Sequence, residues 1–286
     1  MRGTQLLGRA PCLGVSVAAV AFAVAAFVAP SANAANTVCP TGGTPPPGSV
    51  IRGGLEVDGF ECNLTGVTVY GGITIDGTDA TGSGELPIGY LSIDGSTVYG
   101  GITVNGGGID VGVDNFDGFD RTFNPTTIYG GLHLSHAGFF TAADATIHGG
   151  VTMDGVRSDA AEISQLCASE VFGDVTIRDL DNVVRAFIGD PGEPNYNNGA
   201  FCDANTIHGS VSLINTPRVN PITHEGSEIE GNTVTGSVFV DHSTAEVWAN
   251  AIGGSLFCTN GTIIQPPLPD DPSQANNTVH GINTCT

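Results

Sequence analysis

Val69-Tyr-Gly-Gly-Ile-Thr-Ile75 returns with little change as Val98-Tyr-Gly-Gly-Ile-Thr-Val104 and as Ile128-Tyr-Gly-Gly-Leu-His-Leu134. Ten segments of the 286-residue sequence share this form, in which apolar residues alternate around a glycine corner. The first glycine of each copy stands at position 53, 71, 100, 130, 149, 173, 209, 236, 254 or 281, and the shortest spacing is 18 residues. A recurring unit of this length is typical of a solenoid.

Aligning the copies on this glycine places apolar residues in columns. Two residues before it stand Ile51, Val69, Val98, Ile128, Ile147, Val171, Ile207, Val234, Ile252 and Val279. Two after it stand Leu55, Ile73, Ile102, Leu132, Val151, Val175, Val211, Val238, Leu256 and Asn283, and four after it Val57, Ile75, Val104, Leu134, Met153, Ile177, Leu213, Val240, Cys258 and Cys285. A weaker column, seven before it, holds Leu64, Ile93, Phe123, Leu166 (or Cys167), Cys202, Ile229 and Val247. Alternation with a period of two predicts strands with one buried face.

A coil of 18 residues is too short for a strand and a helix, but it accommodates three short strands with tight corners. Gly-Gly and Gly-Ser suit one corner, while Asp58-Gly59, Asp76-Gly77, Asn105-Gly106 and Asp154-Gly155 suit another. The sequence therefore predicts an all-β fold, a single-stranded parallel β-helix of about ten coils with three strands per coil. Four aligned asparagines are predicted to stack as an amide ladder: Asn205, Asn232, Asn250 and Asn277.

The repeat resembles the coils of right-handed parallel β-helix proteins and, in its shortest form, the repeats of bactofilins. With its N-terminal segment and its last two cysteines, the chain is similar to secreted β-helix proteins of actinobacteria. The resemblance covers the chain from about Cys39 to the end. It implies a right-handed coil and an extracellular location, and it carries no catalytic residue.

The N-terminal segment has the pattern of an export signal. Arg2 and Arg9 give a positively charged start before an apolar run at 13–28, and Ala32-Asn33-Ala34 forms a small-residue cleavage site. An uncleaved anchor is the alternative, but the run is short for a membrane span. We predict a signal peptide over 1–34, a Pro/Gly-rich cap over 35–48 and a β-helix domain over 49–286, secreted and without a membrane span.

The charge balance restricts the partners. The chain has 29 acidic residues, no lysine and a formal net charge of −21, which disfavours nucleic acid and anionic membranes. No nucleophile elbow, HExxH motif or phosphate loop occurs. We predict no cofactor and no metal site, with calcium at the acidic corners as the open alternative, because a calcium site requires several converging oxygen ligands.

Six cysteines remain after cleavage, and in an exported chain they predict three disulfides. Cys258 and Cys285 share an inward column in the last two coils, which places their Cα atoms about 5 Å apart. Cys167 and Cys202 fall within one position of each other in adjacent coils, and Cys39 is left for Cys62. Metal binding is the alternative, but no CxxC pair occurs. Ends stapled in this way argue against a filament.

An outward column lies one residue before each glycine: Arg52, Tyr70, Tyr99, Tyr129, His148, Phe172, His208, Thr235, Gly253 and His280. Its six consecutive rings, Tyr70 to His208, are the candidate binding residues, a strip that would lie against sugar rings or a partner's apolar surface. The alternative is cross-strand pairing that only stabilises the strands. A second outward column holds Glu56, Thr74, Thr103, His133, Thr152, Thr176, Ser212, Phe239 and Phe257. Threonine arrays occur on ice-binding β-helices, but His133 and the phenylalanines interrupt this one.

The function expected is that of a secreted, non-enzymatic structural or binding protein that contacts cell-envelope polysaccharide or a surface protein. The alternative is a polysaccharide lyase or hydrolase of the β-helix type. Val238-Phe-Val-Asp-His242 resembles a strand-end motif of pectate lyases, and Arg218 would then be the base. Acids and arginine clustered on one loop-covered face would favour the enzyme, whereas an uninterrupted aromatic strip would favour binding.

The longest interval, from Gly173 to Gly209, allows two interpretations. It could hide an additional coil around 183–188, or it could be one coil with a large loop. Two coils would separate Cys167 and Cys202 by about 9–10 Å, too far for a disulfide. We therefore predict a protruding loop over 181–199 with the Cys167–Cys202 bond beneath it.

Overall fold

The computed structural model describes residues 37–39, 45–58, 61–77, 89–112, 124–156, 164–180, 185–194, 201–216, 226–264 and 276–285. The described residues all belong to one compact unit, Asn33–Thr286. The predicted signal peptide lies outside the described residues. Within them, the regular elements are all strands, and no helix has the length and apolar character needed to cross a membrane.

The strands form three parallel sheets and one hairpin. Sheet 1 precedes the glycine corner and contains β2 Val50–Arg52, β5 Thr68–Tyr70, β8 Thr97–Tyr99, β11 Thr126–Ile128, β14 Ala145–Ile147, β17 Glu170–Val171, β22 Thr206–Ile207, β25 Thr233–Val234, β28 Ala251–Ile252 and β31 Thr278–Val279. Sheet 2 follows the corner and contains β1 Thr37–Cys39, β3 Leu55–Val57, β6 Ile73–Asp76, β9 Ile102–Asn105, β12 Leu132–Ser135, β15 Val151–Asp154, β18 Val175–Arg178, β23 Val211–Ile214, β26 Val238–Asp241 and β29 Leu256–Thr259. Sheet 3 closes each coil and contains β4 Glu61–Thr65, β7 Tyr90–Asp94, β10 Gly108–Val111, β13 Phe139–Ala143, β16 Ser164–Cys167, β19 Ala186–Ile188, β24 Ser227–Glu230, β27 Thr244–Trp248 and β30 Thr262–Ile264.

Neighbouring strands of every sheet come from successive coils, and the chain passes from sheet 1 to sheet 2 to sheet 3 before it starts the next coil. This arrangement is a parallel β-helix with three strands per coil, and the predicted fold class is confirmed. Strand β1 precedes the first predicted coil, within the segment predicted as a cap, and pairs with β3 in parallel.

The three strong apolar columns lie in register, as predicted. Val69 pairs with Val98, Ile73 with Ile102 and Ile75 with Val104, and the same columns continue along both sheets. Their members at these coils are no more than 2% exposed. Because each buried aliphatic side chain contributes about 1.5–3 kcal/mol, a slip of one residue, which would turn every side chain to the other face, is strongly disfavoured.

The predicted members of the weaker column, which belongs to sheet 3, were wrong at two positions. Val111, not Phe123, lies between Ile93 and Ala142, and Ile188, not Cys202, lies between Leu166 and Ile229. Phe123 itself lies outside the described residues. Both errors have one cause. In these two coils the extra residues follow the sheet 3 strand instead of preceding it, so counting back from the next glycine reaches the insertion.

The amide ladder is confirmed. Asn205 Nδ2 donates to Asn232 Oδ1 (2.9 Å), Asn232 Nδ2 to Asn250 Oδ1 (3.1 Å) and Asn250 Nδ2 to Asn277 Oδ1 (2.9 Å). Each acceptor also receives the backbone N–H of the preceding asparagine. Since Asn205, Asn232 and Asn250 are buried, the ladder satisfies polar groups that no water reaches.

Three disulfides are present in the predicted pairing: Cys39–Cys62, Cys167–Cys202 and Cys258–Cys285, with Cα atoms 6.0, 4.8 and 5.0 Å apart. The Cys167–Cys202 disulfide does not lie in the inward column of sheet 3, where the alignment of the weaker column placed these cysteines. Cys167 follows the inward Leu166 and therefore lies on the outer side of sheet 3, where Cys202 packs against it.

The loop predicted over 181–199 is partly wrong. Ala186–Ile188 is a buried strand of sheet 3, paired with β16 and β24. The excursion begins after it, where β20 Asp190–Pro194 pairs antiparallel with β21 Phe201–Cys202. The interval from Gly173 to Gly209 contains one strand of each sheet, so it is a single coil, and the Cys167–Cys202 bond ties the hairpin to that coil's predecessor.

We expect the double variant Cys258→Ala/Cys285→Ala to loosen the last coil. The bond closes a loop with a sequence separation of 27, worth about 3 kcal/mol in the chain-entropy description. Hydrogen exchange should lose protection in Leu256–Thr259 and keep it in Leu132–Ser135, which serves as the internal control. Equal protection of Leu256–Thr259 with and without the bond would contradict this expectation.

Candidate functional site

The six candidate rings form one continuous stack on the outer face of sheet 1. Ring centroids along Tyr70, Tyr99, Tyr129, His148, Phe172 and His208 are 4.8, 4.8, 4.5, 4.9 and 4.5 Å apart, with interplanar angles from 1° to 17°. We call these six residues the aromatic column. It exists because parallel strands about 4.8 Å apart hold identical positions of successive coils in register.

Stacking decides which part of each ring a partner can reach. Inside the column every ring face is covered by its neighbours, so the accessible parts are the ring edges and the polar groups on them. Tyr99, Tyr129 and Phe172 remain 40%, 48% and 44% exposed. A sugar ring therefore finds no free face to stack on between Tyr70 and His208. It meets edges and hydroxyls.

At each end of the aromatic column the last ring contacts a charged side chain, Arg52 at one end and Glu170 at the other. The guanidinium of Arg52 lies 5.8 Å from the centroid of Tyr70, within the range of a cation–π contact. At the other end, His208 Nε2 lies 2.9 Å from Glu170 Oε1. The next position in the register, Thr235, has no ring, so the stack stops there.

A second column on the same face was missed by the sequence interpretation. It lies three residues before each glycine and reads Val50, Thr68, Thr97, Thr127, Thr146, Glu170, Thr206, Thr233, Ala251 and Thr278. We call Thr68, Thr97, Thr127 and Thr146 the threonine column. The signal that could have revealed it is the recurrence of threonine three residues before the glycine in the aligned copies.

The hydroxyls of this face are available to a ligand. Within the described part of the chain, no hydrogen bond engages the tyrosine hydroxyls of Tyr70, Tyr99 and Tyr129 or the side-chain hydroxyls of the threonine column. Apart from histidine, Arg52 and Glu170 are the charged residues among the described outward positions of sheet 1. In a chain with a net charge of −21, this face is a nearly uncharged strip.

Sheet 2 presents a different outer face. The predicted column from Glu56 to Phe257 is in register. Phe239 and Phe257 stack at 5.3 Å with an angle of 20°. His133 interrupts the threonines, so this column has no run of hydroxyls as long as the threonine column.

Several outward side chains in the middle of sheet 3 are buried, in contrast to those of sheet 1, whereas Glu61 and Thr65 at the N-terminal end of the sheet are exposed. Glu228 and Glu246 are adjacent in the register and 7% and 6% exposed. Arg185 Nη1 lies 3.3 Å from Glu228 Oε1, and the Arg185 guanidinium lies 4.8 Å from the centroid of Phe187. This combination of acids and arginine on one face is the feature that favours the enzyme alternative.

Another buried pair on the same face lies further toward the N-terminus. The hydroxyl of Tyr90 donates to Asp110 Oδ2 at 2.6 Å. Burial, followed by the charge of Asp110, raises the pKa of Tyr90 far above its ordinary value. The phenol therefore stays protonated and serves as a hydrogen-bond donor.

The string that resembles a pectate lyase motif lies at the end of a sheet 2 strand. Val238–Asp241 is strand β26, and His242 follows in a left-handed conformation with φ of 46°. His242 Nδ1 lies 2.8 Å from Asp241 Oδ1, and its Nε2 lies 3.2 Å from Asn260 Nδ2. Arg218 lies outside the described residues. Within the described ranges, no group of three or more potential metal ligands converges.

A scan against models of protein families finds no match, and searches of curated proteins and of solved structures find none either. The fold is therefore established by strand order and register alone. The candidate site is likewise supported only by the contacts and the register described above.

Proposed function

We propose that this protein is a secreted, non-enzymatic binding solenoid that attaches to a polysaccharide of the cell envelope through the outer face of sheet 1. One observation carries the proposal. An uninterrupted stack of six rings lies beside a threonine column on a face whose rings stay exposed. The hydroxyls on this face have no protein partner among the described residues, so they are free to bind a ligand.

Secretion is supported by two features. Three disulfides suit an oxidising compartment. The repeat also resembles those of bactofilins and of secreted actinobacterial β-helix proteins, and we propose that the chain is a protein of this extracellular kind. The net charge of −21 disfavours binding to polyanions, so the polysaccharide that we propose carries little negative charge.

The test incubates the purified protein, without residues 1–34, with isolated envelope polysaccharides. We expect retention of the protein on the polysaccharide and no release of sugar. The triple variant Tyr70→Ser/Tyr99→Ser/Tyr129→Ser should lose retention. Its thermal midpoint should also fall, because each stacked pair contributes about 0.5–1.5 kcal/mol.

The matched control separates binding from stability. Phe239→Ser/Phe257→Ser removes a stacked pair from sheet 2 and should lower the thermal midpoint while leaving retention unchanged. If the tyrosine variant were still retained and only melted earlier, the aromatic column would be a strand-stabilising device, and the proposed function would be wrong.

A polysaccharide lyase or hydrolase is the second candidate, favoured by Arg185, Glu228 and Glu246 on sheet 3. The same incubation decides between the two functions. Release of sugar from the polysaccharide, abolished by Glu228→Gln or Glu246→Gln, would establish the enzyme instead.

A further inference from the structure

We infer that the face recognises a linear, uncharged polysaccharide through two parallel rows of hydroxyls, with the chain lying along the columns and across the strands. This inference rests on the proposed function and adds the ligand class and the binding mode. One row is supplied by the tyrosine hydroxyls of the aromatic column. The threonine column supplies the other.

The register fixes the geometry of the two rows. In three successive coils a threonine and a tyrosine are separated by one inward residue, as in Thr68-Val69-Tyr70 and Thr97-Val98-Tyr99. Residues two apart in a strand lie about 6.5–7 Å from each other, and successive coils lie about 4.8 Å apart. The face thus repeats one threonine hydroxyl and one tyrosine hydroxyl per coil, a spacing that matches a ligand with hydroxyls repeated along its length.

Edge-on presentation of the rings argues for hydrogen bonding over stacking. The phenol hydroxyl is on the end of the ring remote from the backbone, and the faces of Tyr99 and Tyr129 are covered on both sides. A ligand therefore meets hydroxyls that have no partner among the described residues. Sugar hydroxyls both donate and accept, as these groups do, so the two sets satisfy each other.

The charges on this face select an uncharged chain. From Thr68 to His148 neither column contains an acid, an arginine or a lysine. Arg52 lies before this stretch and Glu170 after it. A polyanion would find no lysine to pair with and would be repelled by a net charge of −21. Four coils define the length of the site, about 15 Å at 4.8 Å per coil.

The experiment uses cellulose, chitin and curdlan as insoluble neutral probes and heparin-agarose as the polyanion. We expect retention on at least one neutral probe and none on heparin. The triple variant Tyr70→Phe/Tyr99→Phe/Tyr129→Phe keeps the stack and removes only the hydroxyls, so its thermal midpoint should match the unmodified protein. Its affinity for the retained probe should fall about 10- to 100-fold, as expected for three lost hydrogen bonds.

A matched set of threonine variants tests the second row. Thr68→Val/Thr97→Val/Thr127→Val should weaken retention similarly. By contrast, Thr74→Val/Thr103→Val/Thr152→Val, on the outer face of sheet 2, should leave retention unchanged.

Two results would overturn the inference while leaving the proposed function intact. One is full affinity in the tyrosine-to-phenylalanine variant, which would assign binding to ring edges. The other is retention on isolated envelope polysaccharide but on none of the neutral probes. Failure to bind any envelope polysaccharide would end the proposed function itself.

Discussion

Gly130→Ala is expected to disrupt the middle of the solenoid, at a cost of about 4 kcal/mol or more. A Cβ at this position would lie 2.5 Å from Gly100 C, Gly100 O and Gly101 N, all backbone atoms of the preceding coil. The two backbones pass so close that they leave no room for even a methyl group. Relief requires the coils to separate, which breaks ladder hydrogen bonds on both sides of the corner.

The neighbouring glycine position supplies the matched control. Serine already occupies it in three later coils, where Ser210 Oγ accepts the Ser237 N–H and Ser237 Oγ accepts the Ser255 N–H. A Cβ at Gly101 would have its nearest contact, Gly131 O, at 3.1 Å. We expect Gly101→Ser to change the stability by less than about 1 kcal/mol.

Urea denaturation followed by far-ultraviolet circular dichroism measures both variants. A midpoint for Gly130→Ala equal to that of the unmodified protein would show that the coils can move apart at the corner without loss. The explanation of the repeated glycine would then be wrong.

Apart from β1, sheets 1 and 2 could be predicted to the residue because both flank the glycine at fixed distances. Ile128, two before Gly130, and Leu132, two after it, each lie where the alignment predicted. The corner permits no insertion, since the close backbone contact defines its shape. Alternation then assigns inward and outward faces without further information.

Sheet 3 could be predicted only in part because the insertions lie on either side of its strands. The position of Ile188 depends on whether the extra residues of its coil precede or follow it, and both choices leave the glycine spacing unchanged. The outer face of sheet 3 was also unpredictable. Burial of Glu228 and Glu246 depends on tertiary covering, which the local pattern does not encode.

The aromatic column could be predicted as a strip of stacked rings, because the register of the copies and a distance between coils of about 4.8 Å place each ring over the next. The exposed fraction of each ring could not be predicted from the local pattern. Once the rings are 4.5–4.9 Å apart, stacking of rings on each other competes directly with stacking on sugars. The groups left for a ligand are then hydroxyls, those of the tyrosines and those of the threonine column.

Asn232→Ala is expected to destabilise the C-terminal coils by about 3 to 5 kcal/mol, because one deletion leaves several buried groups without partners. The side chain of Asn232 donates to Ile188 O at 2.6 Å and to Asn250 Oδ1, and its Oδ1 accepts both the backbone and the side-chain N–H of Asn205. Removing it strands the Asn205 N–H and the Ile188 carbonyl in a dry interior.

Two control variants test whether the loss of stability comes from the buried hydrogen bonds of Asn232. Serine stands in the same column at Ser169, where its Oγ accepts the Ala145 N–H and donates to the Cys167 carbonyl. Asn232→Ser should therefore recover more than half of the stability that Asn232→Ala loses.

Asn277→Ala, at the half-exposed end of the ladder, should cost only about 1 kcal/mol, since water replaces its partners there. Equal unfolding midpoints for Asn232→Ala and Asn277→Ala would contradict this prediction. The ladder would then stabilise the solenoid no more in its interior than at its end.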